Sequence, residues 1–319
     1  PTLVQTVADV MQNAVFPDKE LELSRQRSLT TLKVQLDNPA SKGRRTFQQA
    51  IYPSNHPFYN FPTEASLKGI QQQDLLNFYK NHYRPDKTTL ALVGDFDPAQ
   101  VKSLLEKELG TWKATGKAPA LTFPPVPLPT NVARLYDGIP GKTQSITYIG
   151  YVGINRTDPR YYSATVMNQI LGGDTLSSRL GTEIRDRQGL TYGIYSGFQA
   201  GIHQGPFLIS MQTAPEDAPK AIASTLKVLE QFRTQGVSTN EVLTAQRSLT
   251  SSYPVDLANP DDLAEIILMN EVYGLNPAEI RQFPKQIDAV TQAQVNEATQ
   301  DLLHPDRLVV VTAGPTTAR

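Results

Sequence analysis

Five consecutive residues of this chain recur farther along it, and this internal repeat limits the possible folds more than any other feature. Residues 26–30 read QRSLT, and the same letters stand at residues 246–250, an offset of 246 − 26 = 220. Further matches follow in the same order at offsets of 220 or 221: Asn38-Pro39 with Asn259-Pro260, Tyr52 with Tyr273, Pro85-Asp86 with Pro305-Asp306, and the apolar run at 90–94 with that at 310–314. Matches that stay collinear over about ninety residues are typical of a duplicated structural unit.

The repeat divides the chain into about one and a half units. Residues 1–109 correspond to the back half of a unit of 220 residues, and the chain has 319 residues in all. Residues 110–131 carry five prolines, a composition typical of an extended linker between domains. We therefore predict the back half of a first unit at 1–109, a Pro-rich linker at 110–131 and a complete second unit at 132–319. Roughly 110 residues of the first unit are expected ahead of Pro1.

The second unit shows strand patterns first and helix patterns afterwards. Strands are predicted where β-branched and aromatic residues are frequent, at residues 144–152, 191–198, 206–211 and 307–312. Helices are predicted at residues 158–171, 218–235, 241–253, 260–273 and after Thr291. Two of them follow capping boxes, Ser238-x-x-Glu241 and Thr291-x-x-Gln294. This order predicts an α+β fold with helices on one face of an antiparallel-rich sheet.

Composition excludes several classes of protein and of site. The chain has 30 Lys and Arg residues against 31 Asp and Glu residues, so its overall charge favours neither nucleic acid nor an anionic membrane as a partner. The lack of cysteine excludes disulfides, thiolate zinc sites and cysteine nucleophiles. No apolar run reaches the roughly 18 residues of a membrane helix, and residues 1–12 lack the pattern of a signal peptide. We therefore expect a soluble chain, whose compartment the sequence leaves open.

The usual catalytic motifs are also missing from this sequence. His56, His82, His203 and His304 are scattered, and none belongs to a zinc-binding pair of histidines on one helix. No nucleophile elbow of the G-x-S-x-G type occurs. The segment Gly141-Lys142-Thr143 resembles the end of a phosphate-binding loop, but Tyr136 stands where the first glycine is required, so we predict a turn. We expect no metal site or cofactor site in this chain.

Residues 171–198 are the most informative stretch, because a glycine turn, a short helix and a strand follow one another quickly. The stretch resembles the second domain of the pitrilysin/insulinase family of zinc metallopeptidases, which includes the mitochondrial processing peptidase and respiratory-complex core subunits. The resemblance rests on the Gly-Gly-Asp turn at 172–174, on Ser-Arg-Leu at 178–180, and on Arg185 followed seven residues later by Tyr192. In the first unit the matching segments are Asp37-Asn38-Pro39, His56-Pro57, and Tyr83-Arg84-Pro85-Asp86 followed by a predicted strand and Gly94.

The resemblance implies two homologous domains that enclose a peptide, with zinc bound in the first domain only. There an H-x-x-E-H helix and a glutamate of a later helix would hold the metal, and the first of these helices would precede Pro1. Its counterpart here, at residues 158–171, carries neither His nor Glu. The later helix matches residues 18–37, in which Thr30, Thr31 and Gln35 stand where a glutamate is expected and Glu22 and Asp37 lie near the ends. Zinc is therefore expected on the preceding segment or on a partner subunit.

Arg185 and Tyr192 are the candidate catalytic residues. Taken alone, they fit a surface charge at the end of a helix and an aromatic residue packed in a strand. The resemblance instead implies contacts to the substrate, since a guanidinium and a phenol can donate to a peptide carbonyl and to the oxyanion that forms from it. The neighbouring strand could also bind a peptide by edge pairing.

Two functions from different classes follow from these observations. In the first, the chain binds a peptide substrate and assists hydrolysis at a zinc site located elsewhere. In the second, it is a catalytically inactive member of the family that binds peptides or holds an assembly together. Both imply a homologous subunit, as a homodimer or a heterodimer, and neither involves nucleic acid or a membrane span. The Arg185–Tyr192 pair favours the first function, and residues 18–37 favour the second.

Overall fold

A five-stranded mixed sheet forms the centre of the second unit in the computed structural model, which describes residues 2–316. The strands are β1 Ala133–Ile139, β2 Ser145–Val152, β3 Ile194–Phe198, β4 Pro206–Thr213 and β5 Val309–Pro315. Their order across the sheet is β1-β5-β2-β4-β3. Only β1 and β5 are parallel, and the other neighbours are antiparallel. Strand β5 therefore lies inside the sheet, between β1 and β2.

The helices of the first unit and of the second unit follow one another in a similar order. Those of the first unit are α1 Thr2–Asn13, α2 Asp18–Asp37, α3 Pro39–Ile51, α4 Glu64–Gly69, α5 Gln72–His82 and α6 Pro98–Leu109. Those of the second unit are α7 Tyr161–Asn168, α8 Ala218–Gln235, α9 Thr239–Ala258, α10 Pro260–Val272, α11 Glu279–Asp288 and α12 Gln292–Leu302. Residues 110–132, all of them described, contain neither helix nor strand.

Local sequence explains where several of these helices begin. Both predicted capping boxes are confirmed: Ser238 opens α9 and Thr291 opens α12, each exchanging hydrogen bonds with the residue three positions later. The repeated Asn-Pro pairs open α3 and α10 in the same way. The side-chain oxygens of Asn38 and Asn259 accept hydrogen bonds from backbone N–H groups of the first turn, and the following proline supplies a φ suited to a helix. The repeat therefore conserves the signals that start these helices as well as their order.

The two faces of the sheet are covered by helices from different units. One face packs against α7, α8, α9 and α12 in a cluster that includes Ile149, Phe207, Met167 and Phe232. The other face packs against α3, where Phe47 and Ile51 are buried together with Tyr148, Leu208 and Val311 of the sheet. Burial of one such side chain is worth about 1.5–3 kcal/mol. The α+β fold is confirmed, and a helix of the first unit completes the core of the second.

Gly43 allows α3 to lie unusually close to the sheet. A Cβ atom at this position would stand 3.0 Å from the Cβ of Ala313 and 3.3 Å from the ring of Tyr148. The Tyr148 hydroxyl donates a hydrogen bond of 3.0 Å to the carbonyl of Ala40, one turn earlier in the same helix. The small residue and this hydrogen bond fix α3 against β2 and β5.

Several predicted boundaries differ from the structure for local reasons. Helix α8 has the predicted ends, and Gly141 lies in a turn with a φ of 72°, as expected. The helix predicted at 158–171 begins only at Tyr161 and changes to a π-helical turn at Gln169–Gly173. It begins late because the carboxylate of Asp158 accepts hydrogen bonds from the backbone and side chain of Arg160 and holds residues 158–160 in a turn. The edge strand β1 was not predicted, since its sequence ARLYDGI lacks a continuous apolar pattern.

The closing strand predicted for the first unit is wrong. Residues 90–94 match 310–314 within β5, but none of them belongs to a strand, and Gly94 lies in a bend. A strand needs neighbours for its backbone hydrogen bonds, and β5 has them in β1 and β2. Within residues 2–316, no strand pairs with residues 90–94.

None of the helices between residues 2 and 316 combines the length and the apolar character needed to cross a lipid bilayer.

Candidate functional site

Arg185 and Tyr192 lie at the two ends of a tight turn beside the edge of the sheet. Arg185 belongs to a π-helical turn, Gly181–Arg187, which is held in the core by the buried Ile184. Tyr192 stands two residues before β3. Gly189 between them has a φ of 65°, a conformation that glycine adopts without strain. The turn therefore brings the two residues together.

Arg185 contacts the main chain of Tyr192. Its Nε donates a hydrogen bond of 3.0 Å to the carbonyl oxygen of Tyr192, and its Nη1 lies 2.6 Å from Oδ1 of Asp186. The side chain of Arg185 is about one third exposed, so the ion pair with Asp186 is solvated and weak. The guanidinium thus links the two ends of the turn, and the phenol lies outside this contact.

The Tyr192 side chain projects into solvent, with 89% of its surface exposed. Its neighbour Thr191 fixes the chain beneath it. The Thr191 hydroxyl donates a hydrogen bond of 2.6 Å to the carbonyl of Gln212 on β4 and accepts one of 3.2 Å from the N–H of Gly193. These bonds also delay the start of β3, which was predicted at residue 191. An aromatic side chain exposed to this extent on an anchored backbone is available to a ligand.

Strand β3 is an edge strand with an open side. It pairs with β4 on one side, and no strand among residues 2–316 pairs with its other side. Tyr195 lies on this strand and is half exposed. An open edge offers backbone N–H and C=O groups to an extended peptide. Tyr192 therefore stands at the beginning of a surface that can accept another strand.

A cavity of about 230 Å³ lies next to β3, between this strand and α7. The amide of Asn168 on α7 donates to the carbonyl of Ser196 at 3.0 Å, and the Ser196 hydroxyl donates to the amide oxygen of Asn168 at 2.7 Å. This pair locks α7 to the edge strand. Asn168 and Tyr161 supply polar atoms to the cavity wall, and Phe198 and Leu249 make it partly apolar.

The described residues do not form a set of side chains suited to bind zinc. Among residues 2–316, no group of three or more His, Asp or Glu side chains could hold a metal ion. His56 is buried, and its Nδ1 accepts a hydrogen bond of 3.1 Å from the N–H of Phe58. Burial, together with the charge of His203, lowers the pKa of His56. Burial, together with the charges of Arg307 and Arg233, also lowers the pKa of His304.

Helix α2 has the predicted ends, and its carboxylates are engaged in pairs. Glu22 accepts hydrogen bonds from Gln26 and Arg25, which lower its pKa. Asp37 accepts a hydrogen bond of 2.6 Å from Nζ of Lys142 in the second unit. Both therefore act as surface ion-pair partners at the ends of the helix.

A polar network near α11 was not predicted from the sequence. Nη2 of Arg156 lies 2.7 Å from Oε1 of Glu279, and the Tyr162 hydroxyl donates to the same carboxylate. Burial, followed by the hydrogen bond with Glu279, raises the pKa of Tyr162 to about 12. The guanidinium of Arg156 also lies 3.8 Å from the centre of the Tyr161 ring. Glu279 is far from the other members along the chain, so no local pattern could reveal this network.

A protein-family model described as the peptidase M16 inactive domain matches residues 69–249, which include Arg185 and Tyr192. Among curated proteins, an uncharacterized zinc protease of Bacillus subtilis, YmxG, is 22% identical over 306 residues, with 95% of this chain and 73% of that protein covered. An uncharacterized zinc protease of Mycobacterium bovis is 24% identical over 312 residues, with 95% of this chain and 69% of that protein covered.

Solved structures of related proteins have the same fold. A peptidase M16 inactive domain from Pseudomonas fluorescens superposes with a TM-score of 0.89 at 26% identity, covering 99% of this chain and 75% of that one. A protease from Helicobacter pylori also superposes with a TM-score of 0.89, at 15% identity, covering 98% of this chain and 76% of that one. The second likeness concerns the fold alone.

Proposed function

Because the chain belongs to the peptidase M16 inactive-domain family, we propose that it forms the peptide-binding wall of a zinc peptidase whose metal is held by residues outside it. Those residues lie either on polypeptide ahead of residue 1 or on a partner subunit. Within the chain we propose the back half of a first unit at 1–109, a linker at 110–131 and the complete second unit at 132–319. The observation that carries the proposal is the Arg185-anchored turn that presents the exposed Tyr192 beside an open strand edge.

The Tyr192 phenol supplies a hydrogen-bond donor to the substrate carbonyl. When water attacks a peptide bond, negative charge develops on that oxygen, and a fixed donor stabilises it more than it stabilises the ground state. Arg185 contributes by holding the backbone that carries the phenol. A donor on a fixed backbone does not have to reorganise during the reaction, which is the condition for effective electrostatic stabilisation.

The open edge of β3 supplies affinity for the peptide backbone. An extended peptide that pairs with this edge satisfies the backbone groups along Ile194–Phe198 and makes few demands on its own side chains. The cavity between β3 and α7 can take one substrate side chain beside the strand. The expected substrates are therefore unfolded or extended peptides of broad sequence.

The second candidate function is a catalytically inactive subunit that binds peptides or organises an assembly. It is favoured by α2, where Thr30, Thr31 and Gln35 stand at positions where the family resemblance implies a glutamate ligand. In this case β3 and the cavity would still bind a peptide, and Tyr192 would contribute to binding without affecting a reaction.

A binding experiment tests the part that both functions share. The chain has no cysteine, so a fluorophore can be attached at a single site, in Tyr195→Cys on β3 or in Lys102→Cys on α6 as the matched control. An unstructured peptide should change the fluorescence of the β3 label in a saturable way and leave the α6 label unchanged. Equal responses at both sites, or none, would contradict the proposed peptide surface. Turnover assays on Tyr192 variants then separate the two functions.

A further inference from the structure

A larger cavity lies apart from the turn that joins Arg185 and Tyr192. It has a volume of about 620 Å³, against about 230 Å³ for the cavity between β3 and α7. It opens where α3, the loop between β3 and β4, residues 121–123 and the end of α10 meet, and neither Arg185 nor Tyr192 lines it. Sites for small organic molecules usually have volumes of roughly 300–1,000 Å³. The size of this cavity therefore suits such a ligand.

The walls of this cavity are mainly aromatic and aliphatic. The ring of Phe123 stacks on that of His203 with their centres 3.5 Å apart, and it meets the ring of Phe58 edge-on at 5.7 Å. Leu121 and Ile202 also line the cavity, although they are 69% and 57% exposed. Apolar side chains that converge on a cavity and remain open to solvent are typical of a ligand-binding surface. An aromatic ligand would cover them and pack against the rings.

Arg44 gives this cavity a positive charge that its own walls do not balance. Among the described residues that line the cavity there is no Asp or Glu. Nη2 of Arg44 donates a hydrogen bond of 2.9 Å to Oε1 of Gln199, which uses one of the five N–H donors of the guanidinium. Arg44 is exposed, so other donors can be reached from solvent. A carboxylate on a ligand would accept charge-assisted hydrogen bonds from them.

Hydrogen bonds fix the walls of the cavity. The bond from Arg44 ties α3 to the start of the loop between β3 and β4, and the Tyr52 hydroxyl donates a bond of 3.1 Å to the carbonyl of Gln204 near the end of that loop. Gly205 lets the two ends of the loop approach each other, since a Cβ there would overlap with the carbonyl oxygen of Gln199. A cavity with fixed walls loses little free energy in reorganisation when a ligand enters.

We propose that this cavity binds a molecule with an aromatic body and a single carboxylate. The carboxylate accepts hydrogen bonds from Arg44, and the aromatic body packs among Phe58, Phe123 and Tyr273, all of which line the cavity. This chemistry occurs in free aromatic acids and at the carboxyl end of a peptide whose last residue is aromatic. The site is separate from the open edge of β3 and does not depend on the function proposed for that edge.

The same features disfavour other classes of ligand. An amine with the same aromatic body finds no carboxylate in the walls and brings its charge towards Arg44. A strongly hydrated anion such as phosphate loses its water to walls that are mostly apolar, which is costly without several donors. The cavity should therefore distinguish ligands by the sign of their charge as well as by their aromatic body.

Isothermal titration calorimetry of the 319-residue chain tests the class of ligand. Naphthylacetate should bind saturably at a single site, and naphthylmethylamine, which has the same rings and the opposite charge, should bind at least about tenfold more weakly. An acetylated tripeptide ending in phenylalanine distinguishes the two sources of this chemistry. If its free acid binds more tightly than its carboxamide and than naphthylacetate, the ligand is a peptide end; if naphthylacetate binds more tightly, it is a free acid. Equal affinity for the acid and the amine, or no binding of any of these compounds, would overturn the proposal.

Arg44→Gln and Arg45→Gln test the role of the guanidinium. Arg45 is the next residue, but its Nη1 donates to the carbonyl of Pro62 and it does not line the cavity. Arg44→Gln should weaken the binding of the acid at least about tenfold and remove the preference over the amine. Arg45→Gln should bind both compounds as the wild type does. Equal effects of the two substitutions would contradict the proposed site.

A second pair of variants tests where the ligand lies. Ile202→Asp places a carboxylate at the cavity, and Val255→Asp places one on α9 at a residue that is 72% exposed. Both positions face solvent, so both variants should keep the Tm of the wild type. Ile202→Asp should weaken binding of the acid and strengthen binding of the amine, whereas Val255→Asp should change neither. If Ile202→Asp has the wild-type Tm and the wild-type affinities, the acid binds elsewhere and the proposal is wrong.

Discussion

Nε of Arg185 donates a hydrogen bond of 3.0 Å to the main-chain carbonyl of Tyr192, while the phenol of Tyr192 remains exposed to solvent. The side chain of Arg185 thus contacts the main chain of Tyr192 and not its side chain. Substitutions at the two positions therefore remove two different interactions. A change at Tyr192 removes a group that can touch a substrate. A change at Arg185 removes the support of the turn.

Tyr192→Phe should preserve the fold and reduce catalysis in the complete, zinc-bearing assembly. The side chain is 89% exposed, so loss of its hydroxyl leaves packing unchanged. Loss of a donor to a developing oxyanion costs about 3 kcal/mol, on the order of a hundredfold in kcat/KM. Steady-state kinetics with an extended peptide would measure this, with Tyr83→Phe, at an exposed tyrosine away from β3, as the matched control. Wild-type turnover by Tyr192→Phe would favour the inactive, peptide-binding function.

Arg185→Ala should weaken peptide binding as well as turnover, because the turn that carries Tyr192 loses its hydrogen bond. Removing a hydrogen bond from a charged group typically costs about 1.5–3 kcal/mol. Combined with Tyr192→Phe, the loss in kcat/KM should be smaller than the sum of the two single losses, since both act on one substrate contact. A double-mutant cycle would measure the coupling. Strictly additive losses would show that Arg185 acts independently of Tyr192.

Glu241→Gln should destabilise the protein at neutral pH but not in strong acid. Arg179 donates hydrogen bonds of 2.7 and 3.0 Å to Glu241, and these bonds, followed by those from Ser238, lower the pKa of Glu241 to about 2. The unperturbed value is 4.5, so the stabilisation is complete above that pH and is lost as the pH falls towards 2. We expect a loss of about 1 kcal/mol at pH 7. Urea unfolding of the wild type and of Glu241→Gln across this pH range would measure the free energy of unfolding of each. The difference between the two free energies should disappear in acid.

The 319-residue chain should retain no stoichiometric zinc. The side chains that the structure brings together offer no set of three ligands, and His56 already uses its Nδ1 as an acceptor. The zinc content per chain would be measured by elemental analysis after the protein is washed with a chelator, reloaded with zinc and desalted. One tightly held zinc per chain would contradict this prediction and would direct attention to His56, His82 and nearby carboxylates.

Gly43→Val should destabilise the packing of α3 on the sheet. A Cβ at this position already approaches the Cβ of Ala313 to 3.0 Å, and Ala313 has no flexible side chain that could move aside. Overpacking of this kind costs about 1–3 kcal/mol. Gly69→Val in α4 is the matched control, because nothing lies within 4 Å of a Cβ there. Equal unfolding free energies for the two variants would show that the contact between α3 and the sheet is loose.

The features that could be predicted from the sequence are those encoded locally. The ends of α8, the capping boxes at Ser238 and Thr291, and the turn at Gly141 depend on neighbouring residues, and all are confirmed. The ends of α2, which the family resemblance implied, are also confirmed. The repeat also predicts the order of the helices correctly. It fails for residues 90–94, because a strand depends on partners that local sequence does not contain.

The remaining features of the site depend on contacts between distant segments. The sequence shows that Arg185 and Tyr192 are seven residues apart, but only the fold shows that the guanidinium binds a carbonyl and leaves the phenol free. The bonds from Thr191 to β4 delay the start of β3, and the pairing of Arg156 with Glu279 joins residues more than a hundred positions apart. Such contacts follow from the packing of distant segments, so no periodic pattern in the sequence predicts them.

The position of α3 should hold the two parts of the chain together even without a covalent connection. Phe47 and Ile51 pack against the sheet, although they precede residues 110–132, which contain neither helix nor strand. We expect a protease that cuts within 110–132 to produce two fragments that stay together and melt in one transition. By the same reasoning, a gene divided at this segment would be expected to encode two subunits that fold only as a complex.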